Sequence, residues 1–304
     1  MHSLTAMKSD IFYWILNMSL HGGLLCLLVL LLRRIKALPR GFVYSLWALP
    51  FLRLVLPLGL NSPLSIMGLL ERLGTRQVSV SRSEFFSAMN SVSLAGSYYP
   101  VTYETNVLTG LMETLALIWL IVACGLVLAA AILYFCTRDE LRNSEKQEGY
   151  YRSDSITAPA LYGIFRPRIL LPRGIAPQAL PYILLHEQVH RRRGDNFWRA
   201  VAILTCCVHW FNPLCWLSLK YFFEDMELSC DAAVLKKLGD REKKAYALAL
   251  LDTAQSRNLF VSAFGGAGLR LRVERVLAYR RLTLLSSLAF GALFALIALV
   301  LLTN

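Results

Sequence analysis

Apolar and polar positions fall into long blocks along this chain, and the blocks predict its elements. Residues 11–32 are predominantly apolar and long enough to cross a bilayer as one helix. Comparable runs occupy residues 42–60, 108–135 and 282–303. Between the second and third lies a polar loop, 61–106. Between the third and fourth lies a long polar and mostly basic region, 137–281. The pattern predicts a mainly α, polytopic membrane protein with four transmembrane helices and an α+β domain inserted between helices 3 and 4. Its parts are a membrane domain (1–136), an inserted domain (137–281) and a fourth transmembrane helix (282–304).

Charge orients these blocks. Arg33, Arg34, Lys36 and Arg40 follow the first run, whereas Lys8 and Asp10 before it cancel. Positive residues stay on the cytoplasmic side, so the N-terminus is expected outside. The 61–106 loop carries three basic and three acidic residues, which suits an external loop. Region 137–281 is then cytoplasmic, and the chain, which stops at Asn304, ends outside. A cleaved signal peptide fits poorly, because the apolar core is too long and the charge is on the wrong flank. A net charge of +12 in a chain that is 56% hydrophobic reads as positive-inside loops, not as direct nucleic-acid binding. The expected location is a bacterial-type cell (inner) membrane, with the lipid bilayer as a partner. Arg53, inside the second run, is expected to pack between helices.

Ala200–Leu219 has no charged residue over twenty positions and could cross a membrane by hydropathy. Asn212-Pro213 interrupts it, and a crossing would move everything after it to the other face. It is therefore read as a helix, a break and the start of another helix, buried in the domain or dipping into the inner leaflet. Other elements follow from local signals. Residues 155–172 read as a small β-hairpin or pair of edge strands around Arg166-Pro167. A helix is expected from about Pro177 to Arg193, ended by Gly194. The next starts at Asn212 as N-cap with Pro213 at N1, and Gly239 stops it. A further helix spans about 241–256, with Asp240 as its cap. Residues 269–281 carry Arg270, Arg272, Arg275, Arg280 and Arg281, read as a basic stretch at the membrane surface. The seven cysteines sit mostly in apolar runs with no C-x-x-C spacing, so no disulfide framework is expected.

The chemistry concentrates in His186-Glu187-Gln188-Val189-His190, an H-E-x-x-H sequence in a helical setting. Histidines four apart leave one helix face a turn apart, so both imidazoles can reach one Zn²⁺. Glu187 is then placed to hold the attacking water and take its proton. A catalytic zinc needs a third protein ligand. Glu224, Glu227 and Asp231 share one face of the 213–238 helix at i, i+3 and i+7, and periodicity alone does not choose between Glu224 and Glu227. His209 reads as a packed histidine.

Taken together, "HEQVHRRRGD", "FNP" and "EDMELSCDAAV" resemble the BlaR/MecR-type antirepressor membrane metallopeptidases, as do residues 163–172 and Trp47 to Pro57. In that family H-E-x-x-H is completed by E-x-x-x-D on a later helix. The resemblance implies a gluzincin-like zinc-peptidase domain with one Zn²⁺ held by His186, His190 and Glu227. It implies Glu187 as general base and Asp231 as a residue orienting a histidine; Asp195 matches a family acid and is expected to be structural. It further implies a zinc endopeptidase acting on the cytoplasmic side in regulated signalling. The substrate it suggests is a cytoplasmic helix-turn-helix repressor. The chain itself, cut within 257–268, is a second candidate. The best-known members carry a penicillin-binding sensor domain after the last span. This sequence has none, so direct β-lactam sensing is not expected. The rival functions are a non-proteolytic membrane signal transducer or scaffold, and a housekeeping quality-control peptidase. The sequence specifies no oligomeric state.

Overall fold

A computed structural model describes residues 2–35, 38–56, 106–140, 144–254, 268–279 and 284–302. Most of the 61–106 loop, residues 57–60 and all but the last residue of the 257–268 stretch lie outside the described residues. The chain opens with α1 (His2–Leu32), then two short helices, α2 (Arg40–Leu46) and α3 (Ala48–Val55). The single-residue break at Trp47 has a local cause. Pro50 has no N–H to donate to the carbonyl of Leu46, four residues earlier, and its ring crowds that position. The expected second span is thus two short helices over its described part.

The long helix α4 (Asn106–Glu140) follows. Within α1 and α4, Met7–Leu32 and Leu111–Arg138 are each long and apolar enough to cross a membrane. Leu111, Ile121, Leu128 and Leu133 of α4 are exposed. Bare aliphatic surface of this extent suits an apolar surrounding better than water. The last described element, α10 (Leu284–Leu302), is apolar apart from Ser286 and Ser287 in its first turn.

The polar region begins with four strands, β1 (Glu145–Lys146), β2 (Tyr151–Ser153), β3 (Ala160–Tyr162) and β4 (Arg168–Pro172). Their order is β1-β2-β4-β3. The β3–β4 pair is the antiparallel unit expected around Arg166-Pro167. β2 joins β4 in parallel, which leaves β3 as an edge strand. Ile169 and Leu171 point from β4 into a core shared with Ile183 of the following helix.

That helix, α5 (Leu180–Arg193), carries the two motif histidines. It has Pro181 in its first turn and stops at Gly194, whose φ of 68° is the left-handed conformation glycine adopts without a Cβ penalty. α6 (Asp195–Val208) and α7 (Pro213–Leu238) then form a tight pair. Asn212 caps α7: its side chain accepts from the Leu214 N–H at 2.9 Å, with Pro213 next to it. A 3₁₀ turn (Asp240–Glu242), α8 (Lys243–Ala254) and α9 (Leu269–Leu277) complete the region.

The α6–α7 pair is inserted between the apolar helices. At its tip, the Trp119 indole donates to the Val208 carbonyl at 2.8 Å, and the Asn212 amide donates to the Ser19 carbonyl at 2.9 Å. Phe211 packs against Phe12, Met112 and Ala116, near the starts of the two long apolar segments. The charge-free run is therefore a helical hairpin packed against α1 and α4, with its turn at residues 209–212. His209 is packed at that turn, its Nε2 at 3.0 Å from the Leu54 carbonyl. Arg53 is buried, as expected of an arginine packed between helices. α1 and α3 meet closely at Gly22, where a Cβ would stand 2.3 Å from Leu54 Cδ2.

Candidate metal centre

Two helices bring the motif residues together. α5 supplies His186 and His190, and both are buried. Their Nε2 atoms lie 3.1 Å apart. α7 supplies Glu227, whose Oε2 is 3.5 Å from His186 Nε2 and whose Oε1 is 3.6 Å from His190 Nε2. Donors about 2.05 Å from a tetrahedral zinc are separated by about 3.3 Å. The two nitrogens are 3.1 Å apart, and each has one Glu227 oxygen at a similar distance, Oε2 at 3.5 Å from His186 and Oε1 at 3.6 Å from His190, so these residues fit a zinc ion. Glu224 faces elsewhere, accepting from Arg33 Nη2 at 3.2 Å. Of the two acids that periodicity left open, Glu227 is the one beside the histidines.

A second donor set shares the histidines: His186, His190 and Cys230 offer ligand atoms within 4.8 Å of one another. Its geometry is poorer. Cys230 Sγ approaches His186 on the Nδ1 side, at 3.6 Å, and that nitrogen is already bonded to Tyr246. The two Nε2 atoms point towards Glu227.

The outer nitrogens of both rings are engaged. His190 Nδ1 lies 2.6 Å from Asp195 Oδ2, a fully buried carboxylate at the start of α6. An acceptor there fixes the proton on Nδ1 and turns the Nε2 lone pair inward. Asp195, expected to be structural, thus touches a motif histidine directly. His186 Nδ1 lies 2.9 Å from the Tyr246 hydroxyl, which donates to Asp231 Oδ1 at 2.6 Å. Asp231 itself is 3.4 Å from His186 Nδ1, so its close link to the ring runs through the tyrosine. Burial, reinforced by the Asp231 charge, holds the Tyr246 phenol well above its ordinary value. It stays protonated and can donate.

Two arginines complete the site, and both escaped the sequence reading. Arg272 was expected at the membrane surface, yet it is only 4% exposed. It forks onto Asp231 through Nε at 2.8 Å and Nη2 at 2.7 Å, and its Nη1 lies 3.3 Å from Glu227 Oε2. Arg199 of α6 donates to Glu227 Oε1 at 2.7 Å, with a side chain 33% exposed. Its α6 position, beside the H-E-x-x-H helix, is the one signal that could have flagged it. Tyr246 left no signal at all.

Charge balance follows from these contacts. Burial opposes ionisation of Glu227, but His190, His186 and Arg272 outweigh it and hold the carboxyl well below its usual range. Burial alone would lower the histidines. Cys230 and Glu227 overcome it, so His186 rises to about 9 and His190 also lies well above its ordinary value. Glu187 is buried one position along α5 from His186.

The family described as BlaR1 peptidase M56 matches residues 13–276. The regulatory protein BlaR1 of Bacillus licheniformis is 35% identical over 122 residues, 39% of this chain and 20% of that protein. The methicillin resistance mecR1 protein of Staphylococcus aureus is 29% identical over 103 residues, 33% of this chain and 18% of that protein. The regulatory protein BlaR1 of Staphylococcus aureus is 23% identical over 124 residues, 38% of this chain and 21% of that protein. The matches span about a fifth of these relatives' own lengths. The family match, in contrast, runs from within α1 to the end of α9 and takes in the histidines, Glu227, Asp231, Tyr246 and Arg272. This chain therefore belongs to the BlaR1 peptidase M56 family.

Proposed function

We propose that the chain is a membrane-embedded zinc endopeptidase whose ligands are His186, His190 and Glu227. The observation that carries this is the pair of imidazole nitrogens 3.1 Å apart, each faced by one oxygen of the same carboxylate, at 3.5 and 3.6 Å. A zinc ion held there supplies Lewis acidity to a scissile carbonyl and to water. Glu187 takes the proton of the attacking water and passes it to the leaving amine. Asp195 holds the His190 ring by its Nδ1–H. Tyr246 holds His186 in the same way, and is itself held by Asp231. Arg272 neutralises the buried Asp231 and keeps the second Glu227 oxygen oriented. Arg199, partly open to solvent beside Glu227, can donate to the oxygen on which charge develops during attack. The β3 edge strand packs beside α5, where an extended peptide can align by main-chain hydrogen bonds.

The membrane reading joins this one. Four spans, about 11–32, 42–60, 108–135 and 282–303, would place the site on the cytoplasmic side with both ends of the chain outside. Supporting this are the apolar lengths of α1 and α4 and the arginines that follow α1. The relatives are named as a regulatory protein and a resistance protein, which favours a signalling role. A helix-turn-helix repressor is the substrate this suggests, with the chain's own 257–268 stretch as a second.

The test uses the full chain in lipid nanodiscs, loaded with zinc, as wild type and Glu187→Gln. Both are incubated with a defined peptide mixture and with purified repressor, and new termini are read by mass spectrometry. The reading expects cleavage by wild type alone, with equal zinc in both proteins. Zinc-loaded wild type that generates no new terminus would refute it. Self-cleavage is decided separately by intact mass, with a shortened wild-type chain and an intact Glu187→Ala chain as the expected result.

A further inference from the structure

A cavity of 1650 Å³ opens between α2 and α3 on one side and α6 and α7 on the other, with α9 and α10 along its length. It is larger than the roughly 300–1,000 Å³ pockets that hold drug-sized ligands. One end is apolar, walled by Phe51, Trp198 and Phe294. The other carries Arg40 and Arg275, with Lys236 and with Asp231, the partner of Arg272, also in the lining. The metal-site histidines do not line it.

Arg40 has no carboxylate to itself. Arg40 and Arg275 are close enough to repel one another. Arg40 meets Asp225 at 3.7 Å, but that carboxylate already accepts the Arg33 fork at 3.1 and 3.2 Å and the Trp47 indole at 2.9 Å. Arg40 Nε is buried with no hydrogen-bond partner among the described residues. A part-buried guanidinium pair in this state favours an anion that accepts from both. The ends of the cavity also differ in depth. Arg40 follows the end of α1 and Arg275 precedes α10, at the polar margins of two apolar helices. Phe51 and Phe294 lie within α3 and α10 themselves. Headgroup level and hydrocarbon level thus coincide with the basic and apolar ends.

We propose that this cavity binds an anionic phospholipid, with its phosphate between Arg40 and Arg275 and its acyl chains along Phe51, Trp198 and Phe294. The proposal rests on the reading that α1 and α10 enter the bilayer, and not on the metal assignment. Its probes are phosphatidylglycerol and phosphatidylcholine with brominated acyl chains, added to the full chain in detergent. Quenching of Trp198 is the readout, obtained as the difference between wild type and Trp198→Phe. Phosphatidylglycerol is expected to bind at least about fivefold more tightly than phosphatidylcholine. Arg275→Gln should lower that preference, and Arg40→Gln with Arg275→Gln should remove it while quenching by both lipids persists. Ala48→Phe, which fills the cavity without changing charge, should weaken both lipids. Equal quenching by the two lipids in wild type would overturn the proposal, as would a preference untouched by Arg275→Gln. Should the double variant not fold, Arg275→Gln and Ala48→Phe decide the matter. Zinc content, measured on the same samples, is expected to stay at the wild-type level, so a failed lipid test and a failed metal reading are separable.

Discussion

The link between Tyr246 and the metal centre gives a prediction that the geometry can size. Tyr246→Phe keeps the buried ring and deletes one oxygen. That oxygen accepts from His186 Nδ1 at 2.9 Å and donates to Asp231 at 2.6 Å. Two compensations limit the damage. Asp231 keeps the Arg272 fork at 2.7 and 2.8 Å, and it stands 3.4 Å from His186 Nδ1, close enough for a small ring shift to recover part of the contact. The net loss is therefore set at the lower end for a hydrogen bond to a charged group, about 1.5 kcal/mol. That corresponds to about tenfold weaker zinc binding, the lower edge of the range for residues that orient a metal ligand. Competition with a chromophoric chelator measures it, using the purified full chain. A folded Tyr246→Phe protein that binds zinc as tightly as wild type would refute the claim that the tyrosine positions His186.

Other perturbations separate the remaining roles. Asp195→Ala removes the acceptor 2.6 Å from His190 Nδ1, so zinc affinity should fall by about 100-fold in the same titration. Cys230→Ser should leave zinc stoichiometry unchanged, whereas Glu227→Gln should abolish tight binding; elemental analysis reads both. Arg199→Gln removes a part-exposed cation 2.7 Å from Glu227, so zinc should bind about two- to fivefold more tightly while peptide turnover falls. Arg272→Ala strands a buried carboxylate and should destabilise the fold by about 3–5 kcal/mol in denaturant titration. The pH dependence follows from His186, raised from 6.5 to about 9 in the metal-free protein. Its bound proton stabilises the metal-free fold fully below pH 6.5, and that contribution is lost as pH rises through about 9. Because zinc must displace the proton, apparent zinc affinity should rise over the same window. Calorimetry in buffers of different ionisation enthalpy reads the proton release.

What the sequence discloses depends on how local each feature is. The H-E-x-x-H pair, Gly194, the Asn212-Pro213 cap and Gly239 are all fixed within a few residues, and each stands where local chemistry puts it. Glu227 was one of two candidates on periodicity, because Glu224 shares its face. The family pattern E-x-x-x-D favours Glu227, and in the fold Glu224 is turned to Arg33 while Glu227 faces the histidines. Arg272 was misread because Arg270 and Arg275 make its stretch look uniformly basic, although one turn of α9 aims only Arg272 into the site. Tyr246 is an ordinary buried aromatic until α8 is packed against α5 and α7. β1 and β2 are two and three residues long, too short to show a period. The reach of the α6–α7 hairpin was also hidden. A charge-free run long enough to cross a bilayer is compatible with a span, a buried break or an inserted hairpin, and only its contacts with Phe12, Ser19 and Trp119 distinguish them.

The central claim is that one zinc sits among two imidazoles and a carboxylate, and the zinc K-edge absorption spectrum of the full chain tests it most directly. The account predicts a nearest shell of nitrogen and oxygen at about 2.0–2.1 Å, without sulfur. A zinc–sulfur distance of about 2.3 Å would place Cys230 in the coordination sphere and contradict it.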